Sequence, residues 1–446
     1  MKAMAKPVSE DVKKGIMYQL FLRMFTQEGT LAAARERLPQ IAELGVTCVY
    51  LCPVTEADDD MRKEFWSPRQ LRSGFDNPKN PYRMKDYFRI DEEYGNDTDL
   101  TEFVKCAHGL GMKVMLDLVY LHCGPGAVFL NEHPDFVKRG ENGDFMCAEW
   151  AFPALNFENA ELREYLWSNM EYFIKKFDVD GYRCDVGDQV PLDFWIEGRR
   201  RIEKLKKDVI MLNEGLKGEY LGNAFDINYG FQFYDAIASV LKNGGRASEI
   251  RRVWEEVRGS YPENGRCIMY MDNHDTASDS YGNRNEKSMG DGGMEAGFVI
   301  IYTLDGVPML YNGNEICDAS RHSLWSNRNY GGLHINWDEA SAPEAVKRCA
   351  LLKRLADIRR NCPALYDGTV EWVENSNPDA VLSYIRESGG QKIAVIVNTS
   401  RAAQTFDLKT GAAVKKNILS CGAELRCSGG KLSAEFSPRG YAVFEI

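Results

Sequence analysis

Through its first three quarters the chain alternates short, wholly apolar runs with stretches of helical spacing. Residues 16–25, 46–51, 113–120, 179–184 and 209–213 read as buried strands. Residues 31–44, 98–110, 159–177 and 192–205 between them read as amphipathic helices. Further strands are expected at 224–227, 267–271 and 307–311. Strands buried on both faces and separated by helices imply a parallel sheet. About eight such units in roughly 350 residues fit an α/β fold, a closed (β/α)8 TIM barrel. The long connection 121–156 after the third strand reads as a loop insertion, a short B domain, and loops of that length usually carry function.

After a helix at 345–360 the pattern changes to strand and turn: 380–386, 391–398, 404–408, 431–436 and 440–446. Gly389-Gly390 and Gly429-Gly430 punctuate it. We therefore expect a catalytic barrel over residues 1–362, with the 121–156 insertion, and a C-terminal antiparallel β-sandwich domain over 363–446.

Composition removes several functions. With 55 basic against 66 acidic residues the formal charge is −11, so nucleic acid is a poor partner. Hydrophobic residues at 44% and charged residues at 27% suit a globular chain and not a disordered one. No apolar run approaches the ~18 residues of a membrane span. Residues 1–14 are polar, so no export signal and a cytoplasmic location are expected. There is no His-Glu-x-x-His, Walker loop or Gly-x-Gly-x-x-Gly.

What ends each strand is the informative pattern. Val114-Met115-Leu116 runs into Asp117, with His122 beyond. Tyr182 runs into Arg183-Cys184-Asp185. Met211-Leu212 runs into Asn213-Glu214, and Tyr270-Met271 into Asp272-Asn273-His274-Asp275. A lone Asp at a strand end is ordinarily a cap or turn residue. In a barrel, though, strand C-termini converge on one face, and active sites sit there. Gathered carboxylates, imidazoles and a guanidinium are either a site or a mutually neutralising network. A retaining glycosidase needs this set: one carboxylate as nucleophile and one carboxylic acid as proton donor, ~5–5.5 Å apart. Arg183 lies two residues before Asp185, so both face the same side of a strand, and the guanidinium keeps the carboxylate ionised and aimed.

These residues resemble the α-amylase family, glycoside hydrolase family 13, over nearly the whole chain. Asp117-Leu118-Val119-Tyr120-Leu121-His122 is similar to its first conserved region and Gly181-Tyr182-Arg183-Cys184-Asp185 to its second. Glu214 matches the third and Asn273-His274-Asp275 the fourth. Residues 45–53, 82–87 and 306–313 resemble three further motifs. The resemblance implies Asp185 as nucleophile, Glu214 as acid/base and Asp275 as the acid that holds sugar hydroxyls. It implies that His122, His274 and Arg183 contact the sugar at the cleaved bond, that Tyr82 stacks beneath it, and that Asp117 supports the arginine without acting catalytically. An α-linked oligosaccharide or polysaccharide is the implied substrate.

Departures from the pattern are as informative. Leu121 stands where the family carries a calcium-binding Asn, and Ala154 where calcium-dependent members often carry Asp. Neither offers an oxygen to a hard cation, so no metal or other cofactor is expected. The acidic run Glu56-Ala57-Asp58-Asp59-Asp60 reads as a solvated loop, because no Gly follows at EF-hand spacing. Where typical α-amylases grip the next sugar with Lys-His, this chain has Val186-Gly187-Asp188-Gln189. That places it nearer the neopullulanase and cyclomaltodextrinase branch, or another branch acting on short oligosaccharides.

Phe65, Trp66, Trp150, Trp325 and Tyr330 lie in loops and can either line a sugar cleft or pack the loops. Trp372 reads as core. Two rival functions stand beside this one: an α-glucan transglycosylase with the same catalytic residues and a sugar as acceptor, and an inactive barrel that only binds glucan or a protein, which predicts loss of a carboxylate although Asp185, Glu214 and Asp275 are all present. The 12 cysteines include Cys48, Cys52, Cys184 and Cys267 in or beside barrel strands, where they read as reduced core residues. A Cys421–Cys427 disulfide is not expected.

Overall fold

Eight short parallel strands close on themselves in the computed structural model, which describes residues 2–278, 284–408, 414–428 and 431–446. They are β1 (Met17–Leu20), β2 (Cys48–Leu51), β3 (Lys113–Leu118), β4 (Gly181–Cys184), β5 (Ile210–Asn213), β6 (Ile227–Asn228), β7 (Ile268–Tyr270) and β8 (Val307–Tyr311). Each pairs with the next, β8 pairs with β1, and a parallel bridge between Asn228 and Cys267 joins β6 to β7. The barrel expected from the alternating pattern is what the chain forms.

Strand parity separates two cores. Met17, Tyr50, Met115, Ile210, Leu212, Tyr270 and Met309 fill the barrel interior as one apolar cluster. Their neighbours Tyr18, Val49, Val114, Leu116, Met211 and Leu310 face outward into a second cluster shared with the helices. The inward parity runs on past the strand ends. Two residues beyond Met17, Met115 and Leu212 come Gln19, Asp117 and Glu214, and Arg183 with Asp185 follows the same rule on β4. Cys184 is in the outer cluster, on the opposite strand face from Asp185.

The observed strands are shorter than the apolar runs. Residues 22–25 turn into a short helix, Leu22–Phe25, instead of prolonging β1. The helix expected over 31–44 breaks into Leu31–Arg35 and Leu38–Glu43 around Pro39. The helices Asp97–Gly109 and Ala160–Phe177 start at Asn caps: Asn96 closes a capping box with Asp99, and Asn159 accepts from the Glu161 and Leu162 amides. The connection after β2 holds an antiparallel ribbon, Thr55–Ala57 with Met84–Ile90, that the sequence pattern did not suggest. In the insertion after β3, bridges join His122 to Ala154 and Cys147 to Pro153, so the segment doubles back over the barrel mouth.

The tail forms an antiparallel sheet of β9 (Thr369–Trp372), β10 (Val381–Ser388), β11 (Gln391–Asn398), β12 (Gln404–Leu408), β13 (Lys416–Ser428) and β14 (Lys431–Glu445). Strand β14 changes partner midway: Leu432–Phe436 pairs with β12, and Tyr441–Glu445 with β11. The switch falls at Pro438 and at Arg439, whose φ is 60°. This is why the sequence read as two strands where the structure has one. Gly429 and Gly430 lie outside the described residues, as does the Cys427 side chain. One face of the sheet, including Leu382, Tyr384, Val395 and Val443, shares the main core with the barrel helices. Trp372 packs against Trp254 and Tyr384 in that core. No helix among the described residues is long and apolar enough to cross a membrane.

Candidate active site

The C-terminal barrel mouth opens into a cavity of about 600 Å³, lined by Asp185, Glu214, Asp275, Tyr82, His122 and His274 among others. At its floor lies Arg183, fully buried. Its Nη1 donates to both Asp117 oxygens at 2.7 and 2.8 Å and to Asp185 Oδ1 at 2.8 Å. Its Nη2 lies 2.7 Å from Glu214 Oε1, an ion pair out of line for a hydrogen bond. Three carboxyl groups thus share one guanidinium. All seven residues assigned a role in the sequence, together with Asp117, are gathered here.

Electrostatics follow from that ratio. Burial pushes Asp185 well above the ordinary carboxylate range, Arg183 pulls it back, and Glu214 and Asp117 push it up again. Burial also raises Glu214, with Arg183 opposing and Asp275 and Asp117 adding to the rise. Asp117 is raised by burial against the pull of Arg183. Three acids facing one fixed cation oppose one another's ionisation, so each is shifted toward its protonated form.

Asp275 is different. Burial opposes its charge, but His274 and Arg69 beside it outweigh burial and hold the carboxyl at about 2. Burial depresses His274 itself to about 4, so the imidazole is neutral at pH 7. The lasting cation beside Asp275 is therefore Arg69, whose Nη1 lies 2.5 Å from Oδ1. Burial also lowers His122 to about 4.

The histidines are aimed by their neighbours. Gln19 Nε2 donates to His274 Nδ1 at 2.7 Å, which leaves the proton on Nε2, 2.8 Å from the Tyr82 hydroxyl. The Tyr82 and His274 rings stack with centroids 5.3 Å apart. His122 Nε2 donates to the Tyr82 carbonyl at 2.8 Å, leaving Nδ1 as an acceptor without a protein partner. Tyr50 and Tyr82 both donate to Asp117 Oδ2. Asp117 therefore spends its oxygens on the arginine and two tyrosines, the supporting part expected of it.

The turns after β4 and β5 are locked together. Val186 sits in the left-handed region at φ 44°, which is costly for a β-branched residue. From there its amide donates to Glu214 Oε2 at 2.8 Å. Asp188 accepts from the Leu216 and Lys217 amides at 2.6 and 2.9 Å and from Asn213 Nδ2 at 2.8 Å. A Cβ at Gly215 would overlap the Asp188 carboxyl. The residue standing where a sugar-gripping Lys-His was expected to be replaced thus turns inward and braces both flanks of Glu214.

The sequence reading assigned no role to Gln19, Tyr50, Arg69 or Asp188. Strand parity from Met17 and Cys48 was the available signal for Gln19 and Tyr50. Nothing local marks Arg69 or Asp188, whose partners are distant. Of the loop aromatics, Trp150 and Trp325 line the cavity. Phe65 and Trp66 are buried in loop packing, and Trp66 Nε1 donates to the Asp60 carbonyl.

The acidic run is not a solvated loop throughout. Asp58 is 1% exposed and accepts the Asp60 and Gly126 amides at 2.7 and 2.6 Å. It ties the ribbon to the insertion, at a spot where Gly124 leaves room for its carboxyl. Partners from other segments, Arg83 and Gly126, decided this. The calcium site of related barrels does not fit the residues present. Leu121 packs on the main core, its carbonyl takes the Leu155 amide, and Ala154 brings no side-chain oxygen. Among the described residues no three His, Cys, Asp or Glu side chains converge to hold a metal.

Residues 16–152 and 145–364 match the family described as alpha amylase, catalytic domain. The chain belongs to the α-amylase family. As a member it is a glycoside hydrolase, and its relatives lie on the branch the motifs pointed to. It is 24% identical to a cyclomaltodextrinase of Bacillus sp over 86% of this chain and 68% of that protein. It is 25% identical to neopullulanase 2 of Thermoactinomyces vulgaris over 92% of this chain and 70% of that protein. It thus spans about two thirds of their length. Among solved structures, the maltogenic α-amylase AmyB of Thermotoga neapolitana aligns with a TM-score of 0.82 at 23% identity, covering 98% and 99% of the two chains. That likeness shows the α-amylase-family fold.

Proposed function

We propose that this α-amylase-family enzyme hydrolyses α-glucosidic bonds of short α-glucans with retention of configuration. The observation that carries the reading is the pair Asp185 and Glu214 on the two nitrogens of one guanidinium. Asp185 accepts an aligned, charge-assisted hydrogen bond from Arg183 that aims its carboxylate, so it serves as nucleophile. Glu214, whose contact with the arginine is out of line, holds the proton of the group and delivers it to the leaving oxygen. Attack by an Asp185 oxygen on the anomeric carbon forms a glycosyl-enzyme as the glycosidic bond breaks. Glu214, now a carboxylate, takes a proton from water, which releases the sugar with its original configuration.

Asp275 stays ionised throughout and accepts ring hydroxyls. The same ring rests on Tyr82, with the neutral His122 and His274 beside it. No step uses a metal, and we propose that turnover is independent of calcium, supported by the apolar Leu121 and Ala154. A reducing compartment such as the cytoplasm suits the eleven free cysteines among the described side chains.

The test is the configuration of the first product from maltotriose, read by proton NMR before mutarotation. An α-anomer is expected; a β-anomer overturns the mechanism. The same mixture, separated by mass, tells water from sugar as acceptor: products longer than maltotriose mark transfer. Activity that disappears in EDTA and returns with calcium overturns the metal-independent reading.

A further inference from the structure

The cation that keeps Asp275 ionised also forms one wall of the cavity. Arg69 Nη1 lies 2.5 Å from Asp275 Oδ1, and Nη2 donates to the Asp275 carbonyl at 3.1 Å. The guanidinium carbon lies 5.6 Å from the centre of the Trp325 ring. Arg69, Asp275 and Trp325 all line the cavity.

This arginine is built in. It rides on the short helix Pro68–Arg72, where Ser67 accepts the Gln70 amide. Gln70 Nε2 donates to the carbonyls of Asn77 and Pro78, and Asn77 Nδ2 donates to the Trp325 carbonyl. Beneath the loop the fully buried Arg83 donates to the carbonyls of Asp58, Asp60, Phe65 and Pro78. The connection after β2 is thereby stitched across β1 to the loop after β8. The Arg69 side chain is left 18% exposed, facing the cavity.

The side of the sugar that this wall faces follows from the barrel order. The leaving group departs next to Glu214, after β5, flanked by Val186 after β4 and Phe231 after β6. Asp275 follows β7 and Trp325 follows β8, across the mouth from there. Of the ring hydroxyls, the 2-hydroxyl neighbours the bond being cut and the 4-hydroxyl lies on the edge away from it, and Asp275 accepts from the ring on its own side of the mouth. Arg69 takes Oδ1 and lies against Trp325, so its guanidinium stands on the side of the mouth away from Glu214, where the 4-hydroxyl edge of the ring would fall. In a 1,4-linked chain the next unit toward the non-reducing end leaves through that edge.

We propose that Arg69 closes the non-reducing side of the site, so that the enzyme acts on chain ends and releases the terminal glucosyl unit. The inference rests on the α-glucosidase chemistry proposed above. A longer chain threading past the cut would have to displace a guanidinium already satisfied by a carboxylate, a carbonyl and an indole face. A chain end needs no displacement.

The experiment compares 4-nitrophenyl α-maltoheptaoside with the same compound blocked at the non-reducing end by a 4,6-ethylidene group. The wild-type enzyme should turn over the free compound, with glucose as the first product by mass. Its kcat/KM on the blocked compound should be lower by at least about 100-fold, since a packed pocket excludes a misfitting group on that scale. In Arg69→Ala the gap should shrink by at least about tenfold, while Arg69→Lys, which keeps the cation, should retain most of it. Equal wild-type rates on the two compounds would overturn the proposal with no variant needed. Turnover of neither compound would sink the α-glucosidase reading, and this inference with it.

Discussion

Arg183 and Arg386 are both fully buried, and their surroundings differ in kind. Arg183 is surrounded by acids: Asp117, Asp185 and Glu214, at the open end of the barrel. Arg386, on β10, donates to the carbonyls of Thr303, Leu365, Gly368 and Thr369, where the sheet meets the barrel helices. Nearby, Arg359 does the same with the carbonyls of Lys13, Tyr302, Gly306 and Leu365. Burial lowers Arg386, whereas the acids around Arg183 overcome burial and raise it. A buried cation among titratable partners sets their protonation and orients them for chemistry. A buried cation held mainly by carbonyls, with Asp305 Oδ1 3.8 Å away, serves to bolt elements together. The contrast separates function from stability within one molecule, and each side can be tested alone.

The largest effect is expected at the acids. Asp185→Asn should cost about 10⁴-fold or more in kcat on maltotriose while leaving the unfolding midpoint near wild type. Near-normal turnover would break the comparison, because the carboxylate that Arg183 orients would then do no work. Glu214→Gln should cost about 10²–10⁴-fold on the same substrate and remove the alkaline limb of the pH–rate profile, which reports the raised acid.

On the other side of the contrast, Arg386→Met strands four carbonyls. It should destabilise the fold by about 3–5 kcal/mol in urea, with kcat per folded molecule unchanged. A drop in kcat without loss of stability would erase the distinction between the two arginines.

Acid sharpens the contrast, because His122 and His274 both line the barrel-mouth cavity. His122 and His274 fold with values of about 4, against about 6.5 for an unfolded histidine. Between those values the unfolded chain binds more protons than the native one. Stability is therefore intact above about pH 6.5 and falls as pH drops toward 4, by roughly 3 kcal/mol per histidine at the low end. Urea midpoints measured at pH 7 and pH 5 should show the decline, and replacing His122 with Asn should flatten it. A flat profile in the wild type would mean that the imidazoles are not buried as described.

The smallest effect concerns Asp188, which touches neither sugar nor Arg183. Asp188→Ala should lower kcat about tenfold and shift the alkaline limb, with KM nearly unchanged, because it frees the turn that aims Glu214. A change confined to KM would mark Asp188 as a substrate ligand instead.

The barrel was legible because β/α alternation with two-sided burial has few solutions, and the strand ends carried the chemistry. Converging strand ends offered Asp117, Asp185, Glu214, Asp272 and Asp275 together, the resemblance to the α-amylase family singled out Asp185, Glu214 and Asp275 among them, and the same parity that buries Met115 and Leu212 carries Asp117 and Glu214 to the centre. Element boundaries were less legible. Leu22–Phe25 is as apolar as a strand but coils at the barrel rim, and β14 hides a change of partner behind Pro438. The burial of Asp58 within an acidic run was not legible at all, since its partners Arg83 and Gly126 come from other segments.

The order of residues along each strand thus determined the fold class, the face on which the site forms and the set of acids that gather there. These depend on local periodicity and on the closure rule of a parallel barrel. Tertiary structure alone decided that three acids share one guanidinium, that Asp188 turns away from the cavity to brace Glu214, and that Arg69 reaches Asp275 from 206 positions away. Such contacts depend on where long connections fold back across the barrel mouth. No local propensity encodes that path; it is set by the hydrogen bonds, such as those of Arg83 and Asn77, that fasten one loop to another.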